Sequence, residues 1–373
     1  MTRSADGDRG ALALAERIFV MLEQGVFTAT YKYAVLLALL DLCLETTSLK
    51  GDAPSSFTTR QLAAKMVQLY WAHTLPYASG RSPMVLKQNN RGQAELLSRI
   101  AAFRERHGAD PTATLARAKA DAPEVYERLL NFVEWKLVEM PLPRLQVIGG
   151  RPDPFLYQIN WDAGVRAADV AAYQRGDGAA FDNRILLMPS VGEYLVRLNG
   201  LLRPFIQRRW IAMVARLNRL EEAKLESFLF GADRQSAQAV RGPLRELQAS
   251  RCFYCDGRLS AQVEVDHFIP WARYPNDGIE NLVAADRACN AAKRDFLAGS
   301  GHLARWALRL GRDLETLNHI AAELHWESRR TETIGVATAI YSGLPEGVEL
   351  WVTGTEFEPA RQGDLMRALS GAA

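Results

Sequence analysis

The chain lacks any apolar stretch long enough to cross a bilayer. Its most apolar run, Tyr33 to Leu44, is broken by Asp41, and a spanning helix needs about 20 consecutive apolar residues. The opening MTRSADGDRG is polar and has no apolar core of the signal-peptide kind. The expectation is a cytoplasmic protein that does not engage a membrane. Charge of one sign is also missing. A formal net charge of +2 over 373 residues argues neither for nor against a polyanionic partner, so only local clusters of charge are informative. There are no internal repeats and no low-complexity blocks. Cysteine is scarce: of four, Cys252, Cys255 and Cys289 crowd into one short segment. In a reducing compartment that crowding favours metal ligation over disulfides. The remaining Cys43 lies in an apolar stretch and reads as a core residue.

What is present is the composition of a globular protein, 48% hydrophobic and 24% charged, with length for two or three domains at roughly 150 residues each. Residues 11–45 have helical composition, divided near Gly25 and Thr28–Thr30. After the polar loop LKGDAPSS, Thr58 or Thr59 is placed to cap a helix through QLAAKMVQLYW, with Gln61 near the capping-box position. Further helices are expected over 93–107 and 122–139. Two strand-like runs, Arg144–Ile148 and Phe155–Ile159, flank the turn GGRPDP. Capped helix and hairpin suit a winged-helix-like module, or equally a helical core covered by a small hairpin. Residues 189–227 read as one or two helices. Six arginines (Arg197, Arg203, Arg208, Arg209, Arg216, Arg219) and no acid fall between Tyr194 and Leu220. Such a run ordinarily marks a solvated face. Without balancing acids, it also fits contact between Arg208, Arg209 and nucleic-acid phosphates.

The densest chemistry lies between Cys252 and Asp295, CFYCDGRLSAQVEVDHFIPWARYPNDGIENLVAADRACNAAKRD. EVDHF alternates as a strand does, LVAA is a short second strand, and ACNAAKRDFLAG reads as a helix closed by Gly299. An Asp-His pair (Asp266, His267), then Asn281-Leu282, then Cys289-Asn290 with Lys293 one helical turn on, all behind a CxxC, rarely arise together by chance. Phosphodiester hydrolysis needs a base to make the nucleophile from water, and charge relief at the phosphate. A neutral imidazole serves as that base near pH 7, which assigns the role to His267. A hard divalent ion such as magnesium or manganese prefers oxygen ligands, few of them from the protein. The Asp266 carboxylate and the Asn290 amide oxygen fit it.

The order of these motifs closely resembles the HNH nuclease family over roughly residues 245–300. The resemblance implies a ββα-metal fold around one divalent ion, with Asp266, His267, Asn281, Asn290 and Lys293 as the matching residues. It implies that Asn281 pins the loop and orients His267, and that Lys293 either touches a phosphate or lies on the surface. DNA is the implied substrate; the alternatives are an RNA- or junction-directed nuclease, or a catalytically silent nucleic-acid-binding or sensing module on the same scaffold. Many members hold a structural zinc with two CxxC pairs. Here the second pair is incomplete, because Asp286 stands where its first cysteine belongs. Cys252, Cys255 and Cys289 can supply three thiolates, and Asp286 or His302 the fourth ligand of a zinc site; the competing reading is a reduced cysteine cluster packed as small apolar residues. The flanks resemble those of larger bacterial HNH proteins, some linked to restriction and phage defence.

The expected fold is α+β, mostly α. Residues 1–165 form a helical, winged-helix-like substrate-binding region, 166–240 a helical arginine-rich connection, 241–300 the ββα nuclease module, and 301–373 a C-terminal helical and strand extension.

Overall fold

A computed structural model describes residues 2–25, 27–78, 83–90, 94–108, 113–162, 164–231 and 237–372, with side chains from residue 7 onward. It forms two compact units, one of residues 1–43 with 54–231 and the other of residues 44–53 with 232–373. Among the described residues no helix is long and apolar enough to cross a membrane. The architecture is mostly helical with small antiparallel sheets, the α+β class expected.

The first unit runs α1 (Thr2–Gln24), α2 (Tyr31–Glu45), β1 (Ser56–Thr58), α3 (Thr59–Trp71), α4 (Glu95–His107), α5 (Leu115–Asp121) and α6 (Pro123–Glu139). It continues through the one-turn α7 (Pro141–Arg144), β2 (Val147–Ile148), β3 (Arg151–Pro152), β4 (Tyr157–Ile159), α8 (Ala167–Gln174), β5 (Arg184–Leu187), α9 (Val191–Asn218) and α10 (Glu226–Phe230). Helix α2 is apolar on every face and therefore central, with Ala34, Val35, Leu37, Ala38 and Cys43 fully buried. Asp41, which interrupts this run, is buried against Arg203 of α9. A buried acid is tolerated there because the guanidinium supplies its counter-charge.

Thr58 caps α3. Its hydroxyl accepts from the Gln61 amide, and the Gln61 side chain accepts from the Thr58 amide at 2.9 Å. The helix so started is a core element. Leu62, Ala63, Met66, Val67 and Tyr70 are fully buried. Arg60 on its polar side is held by Asn131, Glu127 and Glu134 of α6.

The expected hairpin is also rearranged. Val147–Ile148 does not pair with Phe155–Ile159. It pairs with Arg151–Pro152 across Gly149 and Gly150, whose positive φ values (57° and 81°) suit a two-residue primed turn. Tyr157–Ile159 instead joins β5, and β5 joins β1, in a three-stranded antiparallel sheet of order β1-β5-β4. Local turn signals predicted the tight turn. The partner of β4 lies 25 or more residues further along the chain, where no local signal reaches.

The second unit runs α11 (Gln238–Leu247), β6 (Val263–His267), β7 (Leu282–Asp286), α12 (Arg287–Lys293), α13 (Ser300–Arg312), α14 (Leu314–Glu323), α15 (Arg330–Ser342), β8 (Glu349–Thr353), β9 (Glu356–Pro359) and α16 (Gln362–Leu369). Residues 241–300 and 301–373, expected as separate regions, share this unit. Strands β6 and β7 pair antiparallel from Val263↔Asp286 to His267↔Leu282. Leu282 to Ala285 are fully buried, as befits a strand covered on both faces. The helix expected to run to Gly299 stops at Lys293. Arg294 adopts φ 48°, and the chain then extends so that Leu297 O and Gly299 N bond the main chain of Trp351. Gly299 caps the next helix, α13, instead of ending α12. Helix α15 packs closely on the 44–45 backbone, so closely that a Cβ at Gly335 would fall 2.1 Å from Glu45 O.

Candidate active site

Strand β6 carries Asp266 and His267 in succession, so their side chains leave opposite faces. Asp266 turns toward α12. Its Oδ2 accepts from Tyr254 OH at 2.5 Å and from Lys293 Nζ at 3.0 Å. Among the described residues its Oδ1 has no partner. Burial, then the neighbouring Asp266 carboxylate, push the Tyr254 phenol well above its ordinary range, so it remains a donor. Lys293 is fully buried and also donates to His267 O at 3.0 Å. The expectation of a phosphate-touching or surface lysine is thereby corrected. The i, i+3 spacing from Asn290 predicted one helical face, and that face points inward.

His267 is half-buried, with 16% of its side chain exposed. Its Nε2 lies 2.7 Å from Asp277 Oδ1, and its ring is 5.3 Å from that of Trp271. Asn281 does pin the loop. Its Oδ1 accepts from Ile269 N at 2.8 Å, and its Nδ2 donates to Ile269 O at 3.1 Å and Asn276 O at 3.0 Å. It does not bond the imidazole; the group that does is Asp277. Asn290, in the second turn of α12, is half-buried, and its amide has no partner among the described residues. Asp266 Oδ1 and the Asn290 amide oxygen are thus two oxygen donors on this frame without a protein partner among the described residues. That fits a hard divalent ion which takes few protein ligands and keeps water for the rest.

A second centre stands at the other end of the hairpin. The ligand atoms of Cys252, Cys255, Asp286 and Cys289 all lie within 4.8 Å of one another. A tetrahedral zinc with Zn–S of about 2.3 Å separates its sulfurs by roughly 3.8 Å, so the four donors are already gathered. Asp286 has two tasks. Its Oδ1 accepts from Cys289 N at 2.8 Å and caps α12, while its Oδ2 meets Cys255 Sγ at 3.1 Å. Burial opposes its ionisation, but the Cys289 amide and the neighbouring thiols outweigh that and hold the carboxyl below the usual range. Burial and then Asp286 push the Cys289 thiol up, and burial raises Cys252. A bound cation would reverse both shifts by taking thiolates as ligands. His302 is not among the gathered donors; its Nε2 bonds Val352 O at 2.7 Å, and its ring stacks on Trp351.

On α9 of the first unit, the absence of acids in the local sequence proves misleading. Arg197 pairs with Asp8, Arg203 with Asp41, and Arg209 with Glu23 at 3.2 Å while lying over the Phe205 ring. Acids from α1 and α2 balance the run. Arg208 remains exposed, with no acidic partner among the described residues.

Three residues near the chemistry escaped sequence reasoning. Tyr254 was visible only as an aromatic inside CFYC. Asp277 and Glu280 were two acids in an irregular loop, with nothing in their spacing to aim them.

Residues 252–298 match the family model described as HNH endonuclease. The chain therefore contains an HNH endonuclease domain, carried on β6, β7 and α12. No match was found among curated proteins or among solved structures.

Proposed function

We propose that the protein is a metal-dependent endonuclease that hydrolyses phosphodiester bonds in DNA. The observation that carries this is the pairing, on one ββα frame, of a half-buried imidazole with two uncommitted oxygen donors, Asp266 Oδ1 and the Asn290 amide. A divalent ion held by Asp266 and Asn290, magnesium or manganese, would supply charge neutralisation at the phosphate and at the departing oxygen. His267 takes a proton from water as the oxygen of that water attacks phosphorus in line with the leaving 3′ oxygen. The products are a 5′ phosphate and a 3′ hydroxyl. Lys293 aims Asp266 by occupying its far oxygen, and Tyr254 shares that oxygen. Zinc bound at Cys252, Cys255, Cys289 and Asp286 would clamp the start of α12, the helix that carries Asn290.

In the first unit α2, β1, α3 and α6 precede β4 and β5 with β1 beside β5, an arrangement similar to a winged helix into which α4, α5, α7, the β2–β3 hairpin and α8 are inserted. We assign this unit to substrate binding, with Arg208 as a phosphate contact. A place in bacterial restriction or phage defence rests on the resemblance of the flanks alone.

The test incubates the protein with supercoiled plasmid, linear duplex, single-stranded DNA and RNA, in magnesium, manganese or chelator, beside His267→Ala. Metal-dependent nicking of DNA that His267→Ala loses, with DNA binding retained, supports the proposal. Undiminished cutting by His267→Ala removes the assignment of the base. Binding without cleavage in any metal makes the domain a silent scaffold, and cutting of RNA alone moves the substrate.

A further inference from the structure

We infer that Asp277 is a positioning residue for this reaction, holding the His267 imidazole as its Nε2–H tautomer so that Nδ1 is the nitrogen that accepts the proton. The inference rests on the reading of His267 as the base. A neutral imidazole carries one N–H, and the partner of one nitrogen decides the state of the other. The carboxylate of Asp277 only accepts, and it stands 2.7 Å from Nε2. The N–H therefore belongs on Nε2, and Nδ1 is left with its lone pair. Among the described residues Nδ1 has no hydrogen-bond partner, and 16% of the side chain reaches solvent. In the reacting step a water O–H bond breaks and its proton passes to Nδ1. The water oxygen bonds phosphorus, and the P–O3′ bond breaks with its electron pair on the 3′ oxygen, which takes a proton from solvent. The imidazolium formed then faces a carboxylate already in place, which stabilises it as it develops.

The loop bearing Asp277 is over-determined, as a positioning device must be. Asp277 O accepts from Trp326 Nε1 at 2.6 Å, and Ile279 N donates to Glu327 O at 2.9 Å. Asn276 Nδ2 reaches Thr333 Oγ1 at 2.9 Å, and Asn276 Oδ1 accepts from Gly278 N at 2.9 Å. The buried Glu280 carboxylate takes Ser328 Oγ at 2.6 Å on one oxygen and Arg329 N at 2.9 Å on the other. Residues 326–333 thus hold the loop from outside the matched family segment, and this gives the C-terminal region a task in the chemistry.

The experiment uses the full chain labelled with 15N-histidine, His267→Ala identifying the His267 signals. Long-range 1H–15N correlations in the metal-free protein should show Nε2 protonated and Nδ1 bare. In parallel, single-turnover cleavage should fall by about 10²- to 10⁴-fold in Asp277→Asn, the range of a positioned base or its tautomer. Half-saturating DNA should be unchanged, and Asp277→Glu should recover part of the rate. A wild-type ring protonated at Nδ1, or an Asp277→Asn enzyme at wild-type rate, would overturn the inference. Should wild type cut nothing in any metal, the proposed function fails while the ring spectrum still decides Asp277. Should His267→Ala cut normally, the base assignment fails separately.

Discussion

Replacing Lys293 by Met removes one ammonium and keeps most of the apolar stem. The structure makes this a test of what the lysine is for. Lys293 is fully buried, 3.0 Å from Asp266 Oδ2 and 3.0 Å from His267 O. Removing one partner of a buried ion pair leaves the other charge uncompensated, at a cost of about 3–5 kcal/mol. Tyr254 OH still donates to Asp266, which places the expected loss at the lower end, about 3 kcal/mol. The cost should appear locally, in the opening of the β6–β7–α12 frame. Amide hydrogen exchange read on peptides spanning 263–293 should therefore accelerate by about 10²-fold or more, at 1.4 kcal/mol per decade. Magnesium should restore part of the protection, and more in the variant than in wild type, since an ion at Asp266 returns the missing charge. The contrary result is specific. Exchange within about threefold of wild type, together with a DNA-binding salt slope reduced by about one, would show a lysine bound to phosphate and refute the buried counter-ion.

Asp286→Cys should keep one zinc per chain after dialysis, whereas Asp286→Ala should lose it along with about 1 kcal/mol of helix capping; zinc-free protein that folds and cuts, by elemental analysis, would remove the zinc site. Burial lowers His73 from 6.5 to about 4, opposed only by its bond to Leu229 O, so the native ring stays neutral where the unfolded one takes a proton. Stability from this difference is complete above pH 6.5 and is lost as pH falls toward 4, by ~3 kcal/mol; urea unfolding of His73→Gln should show a pH dependence flatter by that amount, and an unchanged slope would refute it. Arg208→Ala should weaken DNA binding and flatten the salt dependence by about one unit, while Arg209→Ala, which breaks its exposed pair with Glu23 and its contact over the Phe205 ring, should leave the slope alone.

What the sequence determined by itself was local and chemical. The strand-like runs EVDHF and LVAA, the Thr58–Gln61 cap and the cysteine spacing are short-range patterns, and they are realised in β6, β7, α3 and the four-donor cluster. The identity of the domain was legible for the same reason, since Asp266, His267, Asn281 and Asn290 lie within one short segment. Tertiary structure decided which way the side chains face and what balances them. Lys293 turns inward because α12 packs on β6 with that face, and Arg209 finds Glu23 from a helix nearly 190 residues earlier. Tyr157–Ile159 pairs with β5 because β5 is nearest in space, not in sequence. Asp277 acquires its meaning only because residues 326–333 hold its loop against the His267 ring. Spacing along the chain encodes which groups can act, while burial and long-range pairing settle which of them are already engaged.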